Sequence, residues 1–307
     1  MVVVFFGTPE FAVPSLRALV GEGFDVRAVV TRPDRPHGRS RSTLVPSAVK
    51  VVAQAEEIEL LEPETPADPA FLRRLKQIAP DVGVVVAYGH ILKPELLTLP
   101  RRGLVNVHPS LLPELRGAAP VEWAILKGLE TTGVTIIQLD AGMDSGPILH
   151  QIPHRIAPGT TGGELSDHLA EMGALALVEA LAMWERDGLR PVPQDHAKAT
   201  FAPKLTRELA RIEWTKPAEG IVRQILALDP RPGAWTELEG REVKLFEATL
   251  VPGTGKPGEV LQADDRLVIA AAGGAVAVTE AQPTSKSHMP VADWIRGRGV
   301  QVGDRFE

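Results

Sequence analysis

The segment Asn106-Val107-His108-Pro109-Ser110-Leu111-Leu112-Pro113 holds the residues best suited to chemistry in this 307-residue chain. Side chains at i and i+2 of a strand project from one face, so Asn106 and His108 stand side by side. Pro109 pushes His108 away from helix and toward extended backbone, which puts the pair at a strand's C-terminal end. There two adjacent donors can hold a developing oxyanion, and the imidazole can also move a proton. The plainer reading of the same residues is a polar strand end that caps the following turn. Asn106 is the one asparagine in the sequence, which draws further attention to the pair. Downstream, Gly133-Val134-Thr135-Ile136-Ile137-Gln138 runs into Leu139-Asp140-Ala141-Gly142-Met143-Asp144-Ser145-Gly146, a strand that ends in a Gly/Asp loop. A carboxylate from that loop can fix the tautomer and charge of His108, or both acids can serve only to shape turns.

Several other chemistries lack their residues. With no Cys, the chain has no thiolate nucleophile, no disulfide framework and no Cys-ligated metal centre. Gly7-Thr8-Pro9 stands where a dinucleotide fingerprint would, with one glycine instead of three, and Pro9 offers no N–H to a pyrophosphate. No Walker P-loop, G-x-S-x-G elbow or H-E-x-x-H motif occurs. His150 and His154 have the spacing of a helical metal pair, but Pro153 breaks such a helix. They read as solvated strand histidines, and the sequence predicts no metal site.

A pair at a strand end needs a sheet to hold it. Residues 2–6, bounded by Gly7, read as a buried strand, and 26–30, 82–87, 104–108 and 134–139 follow. Thr8 suits an N-cap and Pro9 the first helical position. Helical patterns at 48–56, 68–78, 121–126 and 165–184 alternate with the strands. This alternation predicts an α/β domain with a Rossmann-like, doubly wound, mainly parallel sheet, whose ligands sit beyond the carboxyl ends of the strands. Residues 187–203, carrying Gly188, Pro191, Pro193 and Pro203, read as a linker. After a helix at 217–228, short strands at 243–251, 258–262, 267–272 and 276–280 predict a small antiparallel β-barrel, OB-like. The expected domains are therefore 1–186, a linker at 187–203, and 204–307.

Composition agrees with two soluble domains: 44% of residues are hydrophobic and 23% charged. No apolar run approaches the ~18 residues of a membrane helix. Residues 1–7 lack the basic start of a signal peptide. The expectation is a cytoplasmic protein with no membrane partner. The net charge of −6 leans against a general nucleic-acid binder. Within that total, residues 31–42 carry Arg32, Arg35, Arg39 and Arg41 against Asp34 alone. Such a basic loop can track phosphates or be a solvated charged loop. Residues 204–307 hold 14 Lys and Arg against 15 Asp and Glu, close to neutral.

Four segments together resemble the folate-dependent formyltransferases: Phe6-Gly7-Thr8-Pro9-Glu10-Phe11-Ala12, the 106–113 segment, Arg116-Gly117-Ala118-Ala119-Pro120, and 140–146. The resemblance runs from residue 2 to about 300. Lys204-Leu205-Thr206-Arg207-Glu208 through Arg211-Ile212-Glu213-Trp214 is similar to the branch acting on methionine carried by initiator tRNA, and less so to the amino-sugar branch. The resemblance implies Asn106, His108 and Asp144 as the catalytic trio, with a protonated His108 and Asn106 holding the oxyanion. It implies Ser110, Leu111, Leu112 and Pro113 as the tetrahydrofolate-binding segment, with Ala87, Tyr88, Gly89 and Asp140 lining the pterin cleft. The implied formyl donor is 10-formyltetrahydrofolate and the acceptor initiator Met-tRNA, with a nucleotide-linked amino sugar as the alternative. A tRNA-binding role follows for Arg35, Arg39 and Arg41 and for the barrel domain. Relatives carry a Lys pair in the loop where this chain has Gly38-Arg39-Ser40-Arg41-Ser42. A monomer is expected.

Overall fold

The computed structural model describes residues 1–37, 43–186 and 188–307, without the side chains of 35–37 and 43. Arg39 and Arg41 therefore lie outside the described residues, as does the side chain of Arg35. The chain forms two compact units. The first comprises residues 1–117, 132–154 and 166–201, and the second residues 118–131, 155–165 and 202–307.

In chain order the N-terminal strands are Val2–Gly7 (β1), Asp25–Val30 (β2), Arg35–His37 (β3), Thr43–Val45 (β4), Glu59–Leu61 (β5) and Val82–Val86 (β6). Leu104–His108 (β7), Arg116–Gly117 (β8), Thr131–Gln138 (β9) and Ile148–Arg155 (β10) follow. Between them run helices Val13–Gly21 (α1), Ala48–Ala55 (α2), Pro69–Ile78 (α3), Pro94–Leu97 (α4), Pro120–Leu126 (α5) and Gly162–Glu185 (α6). Seven strands build the main sheet in the order β10-β9-β7-β6-β1-β2-β5. The run from β7 through β5 is parallel, and β9 joins β7 antiparallel. The mainly parallel, doubly wound reading of the sequence is what the structure shows.

The strands form because their apolar runs are covered on both faces. Every residue of β6 is buried, which is the signature of a sandwiched parallel strand. Phe6 packs edge-on against Phe71 of α3 and Tyr88, with ring centroids 6.5 and 5.6 Å apart. The first helix starts later than the sequence predicts. Glu10–Ala12 forms a single 3-10 turn, and α1 opens at Val13 with Pro14 in its first turn, where a missing N–H costs nothing. The Thr8 hydroxyl, predicted as a cap, donates instead to the Tyr88 carbonyl at 3.3 Å. Sequence reading misses β5, which is only three residues long.

The short strand Phe201–Ala202 (β11) falls where the first unit ends and the second resumes, and helix Ala218–Leu228 (α7) follows in the second unit. Its strands are Ala234–Leu238 (β12), Arg241–Val251 (β13), Val260–Ala263 (β14), Leu267–Ala271 (β15), Gly274–Pro283 (β16) and Met289–Pro290 (β17). These six strands, β12 to β17, make one antiparallel sheet in the order β12-β13-β16-β15-β14, with β17 on β16. The apolar face of α7, Ile221, Val222, Ile225 and Leu228, is buried. Among the described residues no helix is long and apolar enough to cross a membrane.

Candidate active site

Strand β7 runs between β6, where Val85 faces Asn106, and β9, where Thr135 faces His108. Strand alternation sends Val107 to one side of the sheet. There α6 comes so close that a Cβ on Gly173 would lie 2.7 Å from the Val107 side chain. Asn106 and His108 project from the opposite face, side by side as the spacing predicts. His108 is buried, with 3% of its surface exposed. Asn106 is half-buried, and among the described residues its amide has no hydrogen-bond partner, which leaves its N–H groups available to a ligand.

The imidazole is fixed from both ends. Nε2 lies 3.0 Å from the Leu115 carbonyl, and a carbonyl only accepts, so Nε2 carries the hydrogen. Nδ1 is thereby the bare nitrogen, and it lies 3.8 Å from Asp144 Oδ2. The backbone N–H of Gly117 donates to the same Asp144 oxygen at 2.9 Å. Leu115 and Asp144 both adopt left-handed backbone (φ 57° and 49°) to reach these positions.

Burial is the largest influence on His108 and pushes its pKa below the ordinary 6.5, while the Asp144 charge and the Leu115 hydrogen bond pull it partly back. His108 is thus neutral at neutral pH, where the sequence reading has it protonated; the difference is desolvation, which a strand pattern does not reveal. Its folded pKa lies below the unfolded one, so on acidification the unfolded chain takes up the proton first. The stability contributed by burying a neutral ring is fully present above about pH 6.5 and is lost as pH falls toward the folded value. In an NMR titration the His108 ring protons should therefore show a midpoint below 6.5, and a midpoint above it would contradict the assigned neutral ring.

The two loop aspartates divide the roles left open by the sequence. Asp140 is exposed, and its carboxylate accepts from the Gly142 N–H (2.9 Å) and the Ser145 hydroxyl (2.8 Å), shaping the turn. Asp144 faces the imidazole. Ser110 and Leu112 are buried, while Leu111 and Pro113 are half-buried. Thr135 holds this segment: its hydroxyl donates to the Ser110 carbonyl (2.6 Å) and accepts from the Leu112 N–H (3.1 Å). Gln151 donates to the Leu112 carbonyl at 2.8 Å. At the end of β6, Ala87 and Gly89 are exposed with positive φ, whereas the Tyr88 ring is buried. Burial pushes the Tyr88 hydroxyl up to about 12. Tyr88 therefore offers the site backbone only.

Sequence reading missed Leu115, Thr135, Gln151 and Gln194. Thr135 lies within, and Leu115 beside, a segment that the sequence singles out, but each of the four acts through a contact seven or more positions away in the chain. In the second unit, Arg207 and Arg211 lie over the Trp235 ring at 4.4 and 5.3 Å, beside a recess of about 800 Å³ that Trp214, Arg305 and Phe306 also line. Trp235 is buried.

A neutral imidazole, an amide donor and a carboxylate at the C-terminal end of a parallel strand are equipment for transfer of an acyl-type group to a nucleophile. The chain belongs to the formyl transferase family, which it matches over residues 1–181, and over 204–299 it matches the family's C-terminal domain. It is 44% identical over 308 aligned residues to the methionyl-tRNA formyltransferase of Roseiflexus sp. (strain RS-1), covering 99% of this chain and 94% of that one. The fold is shared with HypX from Aquifex aeolicus in complex with tetrahydrofolic acid (22% identity, TM-score 0.66), over 96% of this chain and 46% of HypX. It is also shared with an N-formyltransferase from Helicobacter canadensis in complex with folinic acid and dTDP-3-aminofucose (20% identity, TM-score 0.69), over 92% of this chain and 100% of that one.

Proposed function

We propose that this chain transfers the formyl group of 10-formyltetrahydrofolate to the α-amino group of methionine on initiator tRNA. The observation that carries the reading is the convergence of Asn106, the bare Nδ1 of His108 and Asp144 at one strand end, in a chain 44% identical along its length to a methionyl-tRNA formyltransferase. The amine attacks the formyl carbon, a C–N bond forms, and the carbonyl oxygen becomes an oxyanion. Asn106 donates to that oxyanion. His108 Nδ1 accepts the proton that the attacking nitrogen loses, and Asp144 stabilises the resulting imidazolium. Collapse breaks the bond to N10 of the folate, and the imidazolium returns its proton there. The products are tetrahydrofolate and formylmethionyl-tRNA.

In this reading Ser110, Leu111, Leu112 and Pro113 bind the folate, together with Ala87, Gly89 and Asp140 and the backbone of Tyr88. Arg35, Arg39 and Arg41 meet the tRNA, and so does the domain from 204 to 307, where Arg207 and Arg211 flank Trp235. Residues 1–186 form the catalytic domain and 187–203 the connection. The enzyme works in the cytoplasm as a monomer and needs no metal. The 204–214 segment and the relative from Roseiflexus favour tRNA over an amino-sugar acceptor. The deciding assay supplies purified protein and formyl donor with charged initiator tRNA, elongator Met-tRNA or an amino-sugar nucleotide. Formylation of the initiator species is expected, and formylation of the sugar alone would overturn the proposal.

A further inference from the structure

Gln194 sits inside the proline-rich stretch that reads as a linker, yet only 6% of its surface is exposed. Both N–H bonds of its amide point at the loop that carries Asp144: Nε2 donates to the Asp144 carbonyl at 2.8 Å and to the Gly146 carbonyl at 2.7 Å. Its Oε1 accepts two N–H groups of Arg116, at 3.1 and 2.5 Å. Arg116 is itself buried, and among the described residues no carboxylate pairs with it. Its other contact is the Nδ1 of His196 at 3.0 Å, which must be unprotonated to accept.

Arg116 also stands between the two residues that hold the reacting groups. The Leu115 carbonyl takes the His108 Nε2 hydrogen, and the Gly117 N–H takes the Asp144 carboxylate. One tripeptide thus grips both side chains, and its central guanidinium is tied through one amide to the backbone of Asp144. Every hydrogen-bonding position of the Gln194 amide is spent on this arrangement. A glutamine filling a surface linker would have no reason to be buried with four such bonds.

We propose that Gln194, braced by Arg116, is a positioning residue that sets the distance between the Asp144 carboxylate and His108 Nδ1. It touches neither reacting group, so its effect passes through Asp144. The kinetic part rests on the proposed formyl transfer, and the titration below does not.

Gln194→Met keeps the length of the side chain and removes all four bonds, so the Asp144 loop is released. In an NMR titration of the protein without substrates, the His108 midpoint should move to lower pH, in the direction that Asp144→Asn moves it, because the nearby negative charge is withdrawn. Turnover should fall about 10- to 100-fold with the KM for the formyl donor unchanged, and Gln194→Met should add nothing to the loss already caused by Asp144→Asn. Gln194→Glu is the second variant. It still accepts from Arg116, so the buried guanidinium keeps its partner, but it cannot donate to both carbonyls and should show the same loss of turnover in the folded protein. A parental His108 midpoint in Gln194→Met, or parental turnover in folded Gln194→Glu, would overturn the proposal. So would a loss that multiplies fully on top of Asp144→Asn. If the titration shifts but no formyl transfer is found in the parent, the clamp stands and the functional reading fails.

Discussion

His108→Ala and Asn106→Ala should each lower kcat for formyl transfer by two or more orders of magnitude while folate affinity changes little. The reasons differ. Loss of His108 removes Nδ1, the nitrogen left bare because Nε2 is committed to the Leu115 carbonyl. The attacking amine then has no fixed proton acceptor, and positioned acid–base groups typically supply about 10²- to 10⁴-fold. Loss of Asn106 removes a donor aimed at charge that exists only in the transition state. Removing one such donor typically costs about 3–4 kcal/mol of barrier. Neither side chain is needed to hold the ground state of the donor, so the losses belong in kcat and not in KM. Steady-state kinetics with saturating initiator Met-tRNA reads this directly. Near-parental turnover in either variant would remove that residue from the mechanism.

The second large effect comes from a residue with no side chain. A Cβ placed on Gly146 would lie 1.8 Å from the Gln138 carbonyl oxygen and 3.0 Å from its carbon. Both are backbone atoms of β9, so neither can turn away as a flexible side chain would. Gly146→Ala therefore has to move the loop itself. That loop carries Asp144 two residues earlier, and the Gly146 carbonyl is one of the two that Gln194 holds. Overpacking of this kind costs about 1–3 kcal/mol of stability. Displacing Asp144 by about 1 Å should lower kcat by up to about 100-fold. Gly21→Ala is the matched control, since a Cβ there meets nothing within 4 Å; it should stay within about 0.5 kcal/mol of the parent and keep its turnover. Thermal denaturation and initial rates on the two variants check this. If Gly146→Ala behaves like Gly21→Ala, the close approach of loop and strand is wrong.

Much of the fold was legible because its signals are local. The apolar runs of β1, β2, β6 and β7, the helical pattern at 68–78 and the glycine and proline stops all act within a few residues of themselves. Asp68 illustrates this, since its side chain accepts from the Phe71 N–H at 2.8 Å and opens α3 where the pattern places it. Strand β5 was not legible because three residues carry no periodicity. The buried contacts of segment 187–203 were not legible for a different reason. Its prolines and glycine describe a chain that leaves regular structure, and say nothing about the buried contacts an irregular chain can make. Gln194 makes four of them.

By itself the sequence determined that Asn106 and His108 share one face of a strand end, because strand alternation and the proline after His108 are properties of neighbouring residues. It also determined the absence of thiol chemistry, since no Cys is present. Only the tertiary structure decided which aspartate meets the imidazole, that the ring is neutral, and which nitrogen is bare. Those outcomes depend on burial, on the Leu115 carbonyl seven positions from His108, and on partners of Asp144 27 and 50 positions away in the chain, and such contacts exist only once the sheet has brought the loops together.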